Sequence, residues 1–217
     1  VGIKVVVVHG GGKAVTKELA NRGLEATFID GLRVTDEKTI EVVDQILNQK
    51  VNGEVAEFVS SYDCNVQKLP GKEILHCRKL EEEHDLGFVG SITQVNTAPV
   101  LQALDGGLMP VISSTASDSE GQCYNVNADT VAAEVAIALK ARRLVYLSDV
   151  PGLLRNPEDP KTLLSSLPVD QVDSLKSEGV ISKGMLPKVN SAVDALNSGV
   201  NRVHFIDGRL PHSILLE

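Results

Sequence analysis

Four loops of this chain carry residues suited to handling a phosphoryl group, and each follows a strand-like apolar run. They are His9-Gly10-Gly11-Gly12, Asn125-Val126-Asn127-Ala128-Asp129, Ser148-Asp149-Val150-Pro151-Gly152 and Lys183-Gly184-Met185-Leu186-Pro187-Lys188. Glycines between a strand and a helix let backbone N–H groups approach an anion without Cβ obstruction, and the helix N-terminus adds its dipole. The triple glycine fits neither the dinucleotide-binding G-x-G-x-x-G nor the G-x-x-x-x-G-K-[ST] phosphate loop. Val7 stands where the leading glycine of the latter would be, and Ala14 follows Lys13, which therefore reads as a surface lysine. Alone, the triple glycine would read slightly better as a tight turn than as a phosphate cradle.

The other loops add side chains of complementary chemistry. Arg33, in Gly31-Leu32-Arg33-Val34-Thr35-Asp36, precedes a helix that Thr35 or Asp36 could cap, and its guanidinium could bind a carboxylate through two parallel hydrogen bonds. Asn125 and Asn127 share a face if their segment is extended, so two amides could read a small polar substrate, while Asp129 could hold lysines in position. Lys188 opens a helix, against the dipole, where a cation could meet charge developing on a phosphoryl group in flight. Ser148 to Leu153 ends a buried strand and is a candidate wall for a nucleotide. Each feature has an ordinary reading too: a solvated arginine, an Asx cap, a first-turn lysine, a strand-ending turn.

The elements that must position these residues alternate. Val5–Val8, Pro110–Ser113, Leu144–Leu147 and Val203–Ile206 are short apolar runs rich in β-branched residues, as buried parallel strands require. Helical periodicity covers Lys13–Arg22, Glu37–Phe58, Ala128–Leu139, Val169–Ser177 and Lys188–Asn197. Such alternation gives an α/β fold, expected as a three-layer αβα sandwich around a central, mostly parallel sheet. Ligands of such sheets bind beyond the carboxyl ends of the strands, where all four loops fall. The stretch Val66–Val95 suits a hairpin excursion over the sheet edge, and Asn156–Pro160 reads as a turn or loop. Two lobes are expected, residues 1–142 and 143–217.

The 217 residues suffice for two lobes with a sizeable core. With 29 acidic against 21 basic residues the formal charge is −8, so no general field favours nucleic acid or anionic membranes. No apolar stretch approaches the ~20 residues that span a bilayer. Cys64, Cys77 and Cys123 are odd in number and lack metal-ligand spacing, which suits a reducing compartment. The start Val1-Gly2-Ile3-Lys4 lacks an initiator Met, and the true N-terminus is expected upstream.

Together, VVVHGGG, DGLRVTD, KVN, GFVG, YNVNADT, LSDVPG, GMLPKV and IDGRLPHSILLE, in this order, resemble the acetylglutamate kinases of the amino acid kinase family. The resemblance runs from Val5 to Glu217. It implies transfer of the γ-phosphoryl group of MgATP to the side-chain carboxylate of N-acetyl-L-glutamate, an early step of arginine biosynthesis, with no tightly bound protein-ligated metal. By matching positions, Gly11 and Gly12 would contact the phosphoryl group and substrate, and Arg33, Asn125 and Asn127 would hold acetylglutamate. Asp129 would organise the catalytic lysines, and Lys188 would stabilise the transition state. Asp149, Val150, Pro151, Gly152, Leu153 and Leu154, with Val180, Ile181 and Ser182, would border the nucleotide.

The sequence departs from that pattern in three places. The family's opening Lys-x-Gly-Gly strand, whose lysine partners the one matched by Lys188, is absent. Ser60-Ser61-Tyr62-Asp63-Cys64 stands in the stretch where a glycine-rich segment is usual, and Lys183-Gly184-Met185 replaces Gly-Gly-Met. The ending from Val203 resembles the arginine-inhibited branch, which implies His204 and Glu217 as contacts for an arginine effector. The resemblance further implies a cytoplasmic (or plastid) homodimer or hexamer and, in some members, a nitrogen-signalling regulator. Competing expectations are another amino acid kinase acting on free aspartate or glutamate, and a catalytically silent regulatory homologue.

Overall fold

The computed structural model describes residues 2–156, 158–181 and 185–216. Packing divides the chain into two compact units, Val1–Val135 and Ala136–Glu217.

In the first unit, strand β1 (Val7–His9) runs into the glycine loop, and helix α1 (Gly12–Asn21) leaves it. Strands β2 (Phe28–Ile29) and β3 (Leu32–Arg33) form a short antiparallel hairpin. Its two-residue loop, Asp30-Gly31, has positive φ at both positions, as the right-handed twist of a tight hairpin demands. Helix α2 (Glu37–Gln45) is capped by Asp36, whose Oδ1 accepts the Thr39 backbone N–H at 2.8 Å. It continues through a π-helical turn, Ile46–Val51, into α3 (Asn52–Ser60). The single helix expected over this stretch is therefore wound loosely at its middle. Val15 and Leu19 of α1 pack with Ile40, Val43, Ile46 and Leu47 in one apolar cluster.

The chain then forms β4 (Val66–Leu69), α4 (Gly71–Ile74), β5 (Leu75–Lys79), β6 (Gly90–Val95), α5 (Ala98–Asp105), β7 (Met109–Ser113), β8 (Thr115–Ser117) and β9 (Cys123–Asn125). Helix α6 (Ala128–Ala138) follows, and the division between the two units falls inside it. Strands β1, β7 and β4 form a wholly parallel ladder with β7 in the middle, where Val111 and Ile112 are fully buried. The hairpin expectation for Val66–Val95 holds for β5 and β6, which pair antiparallel, but not for β4, which joins the parallel ladder at its edge. Gln67 and Lys68 are exposed there, and this polar outer face gives β4 its unstrandlike sequence. Strands β6-β5-β8-β9 make a second sheet.

In the second unit, β10 (Arg143–Ser148) and β11 (Arg202–Asp207) pair in parallel. Tyr146 lies opposite Phe205 and stacks on it, with ring centroids 5.5 Å apart. Helices α7 (Val172–Ser177) and α8 (Leu186–Asn197) complete the unit, α7 being preceded by a 3-10 turn over Val169–Gln171. Asn156 turns the expected loop by accepting the Glu158 N–H on its side chain; Pro157 lies outside the described residues. Parallel ladders flanked by helices place the chain in the α/β class. Among the described residues no helix is long and apolar enough to cross a membrane.

Candidate active site

The first unit holds a cleft of about 190 Å³ at the carboxyl end of β1. Its lining brings together all five residues expected to hold the substrate: Gly11, Gly12, Arg33, Asn125 and Asn127. The first-turn N–H groups of α1 have no intrahelical acceptor, and no acidic side chain occupies that turn. A Cβ on Gly11 would stand 2.6 Å from Leu47 Cδ2 and 3.2 Å from Val51 Cγ2. The glycine is therefore required by close approach of the π-helical turn. A Cβ on Gly10 would likewise press on Ala128 Cβ at 3.2 Å, so the start of α6 closes on the same loop.

Arg33 is only 7 % exposed. Its Nη2 donates to the Gly12 carbonyl at 3.0 Å and to Thr16 Oγ1 at 2.9 Å, and the guanidinium carbon sits 4.6 Å over the Phe28 ring. Buried Nη1 has no hydrogen-bond partner among the described residues. Burial lowers the pKa of the guanidinium from its ordinary value. Among the described residues no aspartate or glutamate lines the cleft; apolar groups such as Val15, Phe28 and Val89 supply the walls. An unpartnered charged donor in such a cleft has the chemistry to donate a hydrogen bond to an anionic acceptor, as a carboxylate or phosphate oxygen would supply.

Asn125 ends β9 with its Nδ2 3.3 Å from Thr35 Oγ1, and its backbone N–H donates to the Phe88 carbonyl. Thr35, fully buried, donates its hydroxyl to the Arg33 carbonyl, so these two cleft residues share one support. Asn127 Oδ1 accepts from the N–H groups of Asp129 and Thr130, making Asn127 the cap of α6, and the residue also lines the cleft. The plain cap reading therefore holds, and capping does not remove Asn127 from the cleft lining.

Asp129 belongs to the first unit and Lys188 to the second. Lys188, in the first turn of α8, places Nζ 4.8 Å over the Tyr146 ring. The residues expected to border a nucleotide belong to the second unit. Leu153 clusters with Ile181, Val172 and Leu175, and Val180 packs against them. Leu154 bridges Leu163, and Gly152 (φ 133°) turns the loop after Asp149, Val150 and Pro151. Ser182 lies outside the described residues. His204 stands on β11 opposite Val145, while Glu217 lies outside the described residues. Among the described residues, no three His, Cys, Asp or Glu side chains group into a cation site.

Residue-by-residue reading of the sequence missed several contributors. Phe28 covers Arg33, and Val89 and Ser114 line the cleft. Arg209 grips Asp207 through two bonds of 2.9 and 2.7 Å, holding that carboxyl down at about 2, and Asp149 helps to raise the Arg209 pKa. The Asp-Gly turn beside Phe28 was the one visible signal for the first of these.

The profile of the amino acid kinase family matches residues 1–207. The chain is 46% identical to the acetylglutamate kinase of Heliobacterium modesticaldum and 45% identical to that of Archaeoglobus fulgidus. Each match covers all of this chain and 78% or 79% of the relative. Among solved structures, smu.665 from Streptococcus mutans superposes with a TM-score of 0.87 at 30% identity, over 95% of this chain and 83% of that one. Fold, cleft and full-length similarity agree: this chain belongs to the amino acid kinase family, in its acetylglutamate kinase branch.

Proposed function

We propose that the chain phosphorylates the side-chain carboxylate of N-acetyl-L-glutamate with MgATP. The observation that carries this reading is the cleft's charge pattern: a buried guanidinium with a spare donor, two asparagine amides, apolar walls and no carboxylate. A free amino acid brings an ammonium group that would go unpaired there, whereas an acetylated one brings a neutral amide and a methyl group. The acetylglutamate kinase relatives support the same substrate.

A carboxylate oxygen of the substrate forms a bond to the γ-phosphorus as the bond to the β,γ-bridging oxygen breaks, giving an acyl phosphate and ADP. Gly11 and Gly12 offer N–H groups to the moving phosphoryl group, Arg33 and the asparagines fix the acceptor, Lys188 meets the developing charge and Asp129 orients the cations. The loop 149–154 with residues 180–182 borders the nucleotide, whose Mg²⁺ travels as part of the substrate. A homo-oligomer in a reducing cytoplasm, with arginine binding near His204 and Glu217, completes the reading; the C-terminal motif supports the effector, and three unpaired cysteines suit the compartment.

The test is ADP release by the full chain with MgATP and acetylglutamate, glutamate or aspartate, with and without arginine. Turnover of acetylglutamate alone, reduced on the order of 10²- to 10³-fold in Lys188→Ala, is expected. Preference for a free amino acid would discard the substrate, and no turnover would favour a silent homologue.

A further inference from the structure

Beneath the glycine loop lies a polar contact that the assigned roles do not use. His9, the last residue of β1, places Nδ1 2.8 Å from the Gly10 carbonyl and Nε2 3.0 Å from Asn52 Nδ2. Asn52 is fully buried, and the same amide nitrogen donates to the Val111 carbonyl of β7 at 3.0 Å. Its two N–H groups are thus divided between the neighbouring strand and the imidazole. The amide orientation follows, because a reversed amide would set its oxygen against the Val111 carbonyl. The imidazole tautomer follows in turn: Nε2 accepts, so Nδ1 carries the hydrogen and donates to Gly10. Buried Asn52 Oδ1 has no partner among the described residues, so a polar group is left unsatisfied while both donors are kept.

The placement is a product of the π-helical turn. Asn48 and Asn52 lie four residues apart, one inside that turn and one just past it. Asn48 Oδ1 accepts the hydroxyls of Ser113 and Thr115, and Asn52 takes Val111 and His9. Leu47 and Val51 of the same turn press on Gly11. One helical segment therefore holds the loop from two sides, by contact at Gly11 and by hydrogen bonding through His9 at Gly10.

We propose that His9 and Asn52 are positioning residues for the phosphoryl-transfer step. Through the Gly10 carbonyl they set the peptide plane that aims the Gly11 N–H at the phosphoryl group in flight, and so fix the start of the plane that carries the Gly12 N–H. This deepens, and rests on, the kinase reading above. Groups that act on the moving phosphoryl group are felt in kcat, while substrate anchoring by Arg33 and the asparagines, expressed in KM, is left alone.

The experiment compares wild type, His9→Leu, His9→Asn and Asn52→Leu as full chains. Steady-state kinetics on acetylglutamate and MgATP are paired with amide hydrogen exchange of the substrate-free proteins over residues 10–13. Asparagine can keep the Nδ1-like donor to Gly10, so His9→Asn is the conservative replacement. The expected result is a kcat loss of about 10- to 100-fold in His9→Leu and Asn52→Leu. KM for either substrate should change by less than about 3-fold, with partial recovery in His9→Asn and faster exchange confined to residues 10–13. Unchanged exchange at those residues, a rise in KM at constant kcat, or a kcat loss accounted for by the unfolded fraction would each overturn the proposal. Should wild type turn over no acetylglutamate, the kinase reading fails, and the exchange comparison alone decides whether the pair holds the loop.

Discussion

Gly11 and Leu47 stand so close that one added carbon does not fit: a Cβ on Gly11 would lie 2.6 Å from Leu47 Cδ2. Leu47 is itself 3 % exposed in the cluster beneath α1 and cannot swing away freely. Gly11→Ala should therefore move the loop, costing about 1–3 kcal/mol of stability by overpacking and on the order of 10²-fold in turnover by misplacement. Combining it with Leu47→Ala should recover part of the turnover. A double-mutant cycle on kcat and on urea midpoints measures the coupling, and simple additivity would refute direct contact as the cause.

Arg33 should be irreplaceable by lysine. An ammonium cannot hold Gly12 and Thr16 while presenting a second donor to a carboxylate. Arg33→Lys is expected to lose on the order of 10- to 100-fold in kcat/KM for acetylglutamate, from one charged hydrogen bond forgone. KM for MgATP should hold steady, and initial rates with each substrate varied in turn check this.

Burial lowers the His9 pKa, against a smaller opposing effect of its bond to Gly10. The unfolded chain then takes up the proton first as pH falls below the ordinary value of 6.5. The His9 contribution is complete above that pH and is lost progressively below it. Urea unfolding across this window should show a fall in stability that is shallower in His9→Leu; parallel pH dependence in the two proteins would contradict the assignment.

Two thiols should be silent in the native protein. Cys77 and Cys123 are buried and pushed up to about 12, chiefly by desolvation, while Cys64 is only half-buried. Alkylation near pH 8 with mass mapping should label Cys64 first, and the other two only after denaturant is added. Rapid native labelling of Cys123 would show that the cluster beneath α1 opens.

The parallel core was legible because its strands read as uninterrupted apolar runs, as at Val111-Ile112 and Leu144–Leu147, and because the glycine loop separates two different periodicities. Of the candidate site, the cleft lining was legible where a motif names its residues, as in Arg33 and Asn125. Four features were hidden for identifiable reasons. Strand β4 shows half its side chains to solvent. Helix α5 is short, although Pro99 in its first turn and Asn96, which accepts the Ala98 N–H, were available signals. The pairing of His9 with Asn52 spans 43 positions, and no local pattern encodes it. The π-helical turn is likewise invisible to a count of helical period, since both flanking segments keep their own phase.

That turn makes the long helix tolerant of a change in chain length just where its sequence gives no sign of it. Six residues are wound there over about the span that five take in ordinary α geometry, so removing one between Ile46 and Val51 would leave Asn52 near its present heading, whereas the same deletion in α2 or α3 would rotate everything beyond it by about 100°. The loss would fall on the turn's own side chains, Leu47 at Gly11 and Asn48 at Ser113 and Thr115, while Asn52 kept β7 and His9. Within the family, a one-residue gap aligned to this turn would mark a branch that kept the hydrogen-bonded support of its glycine loop and gave up the packed one.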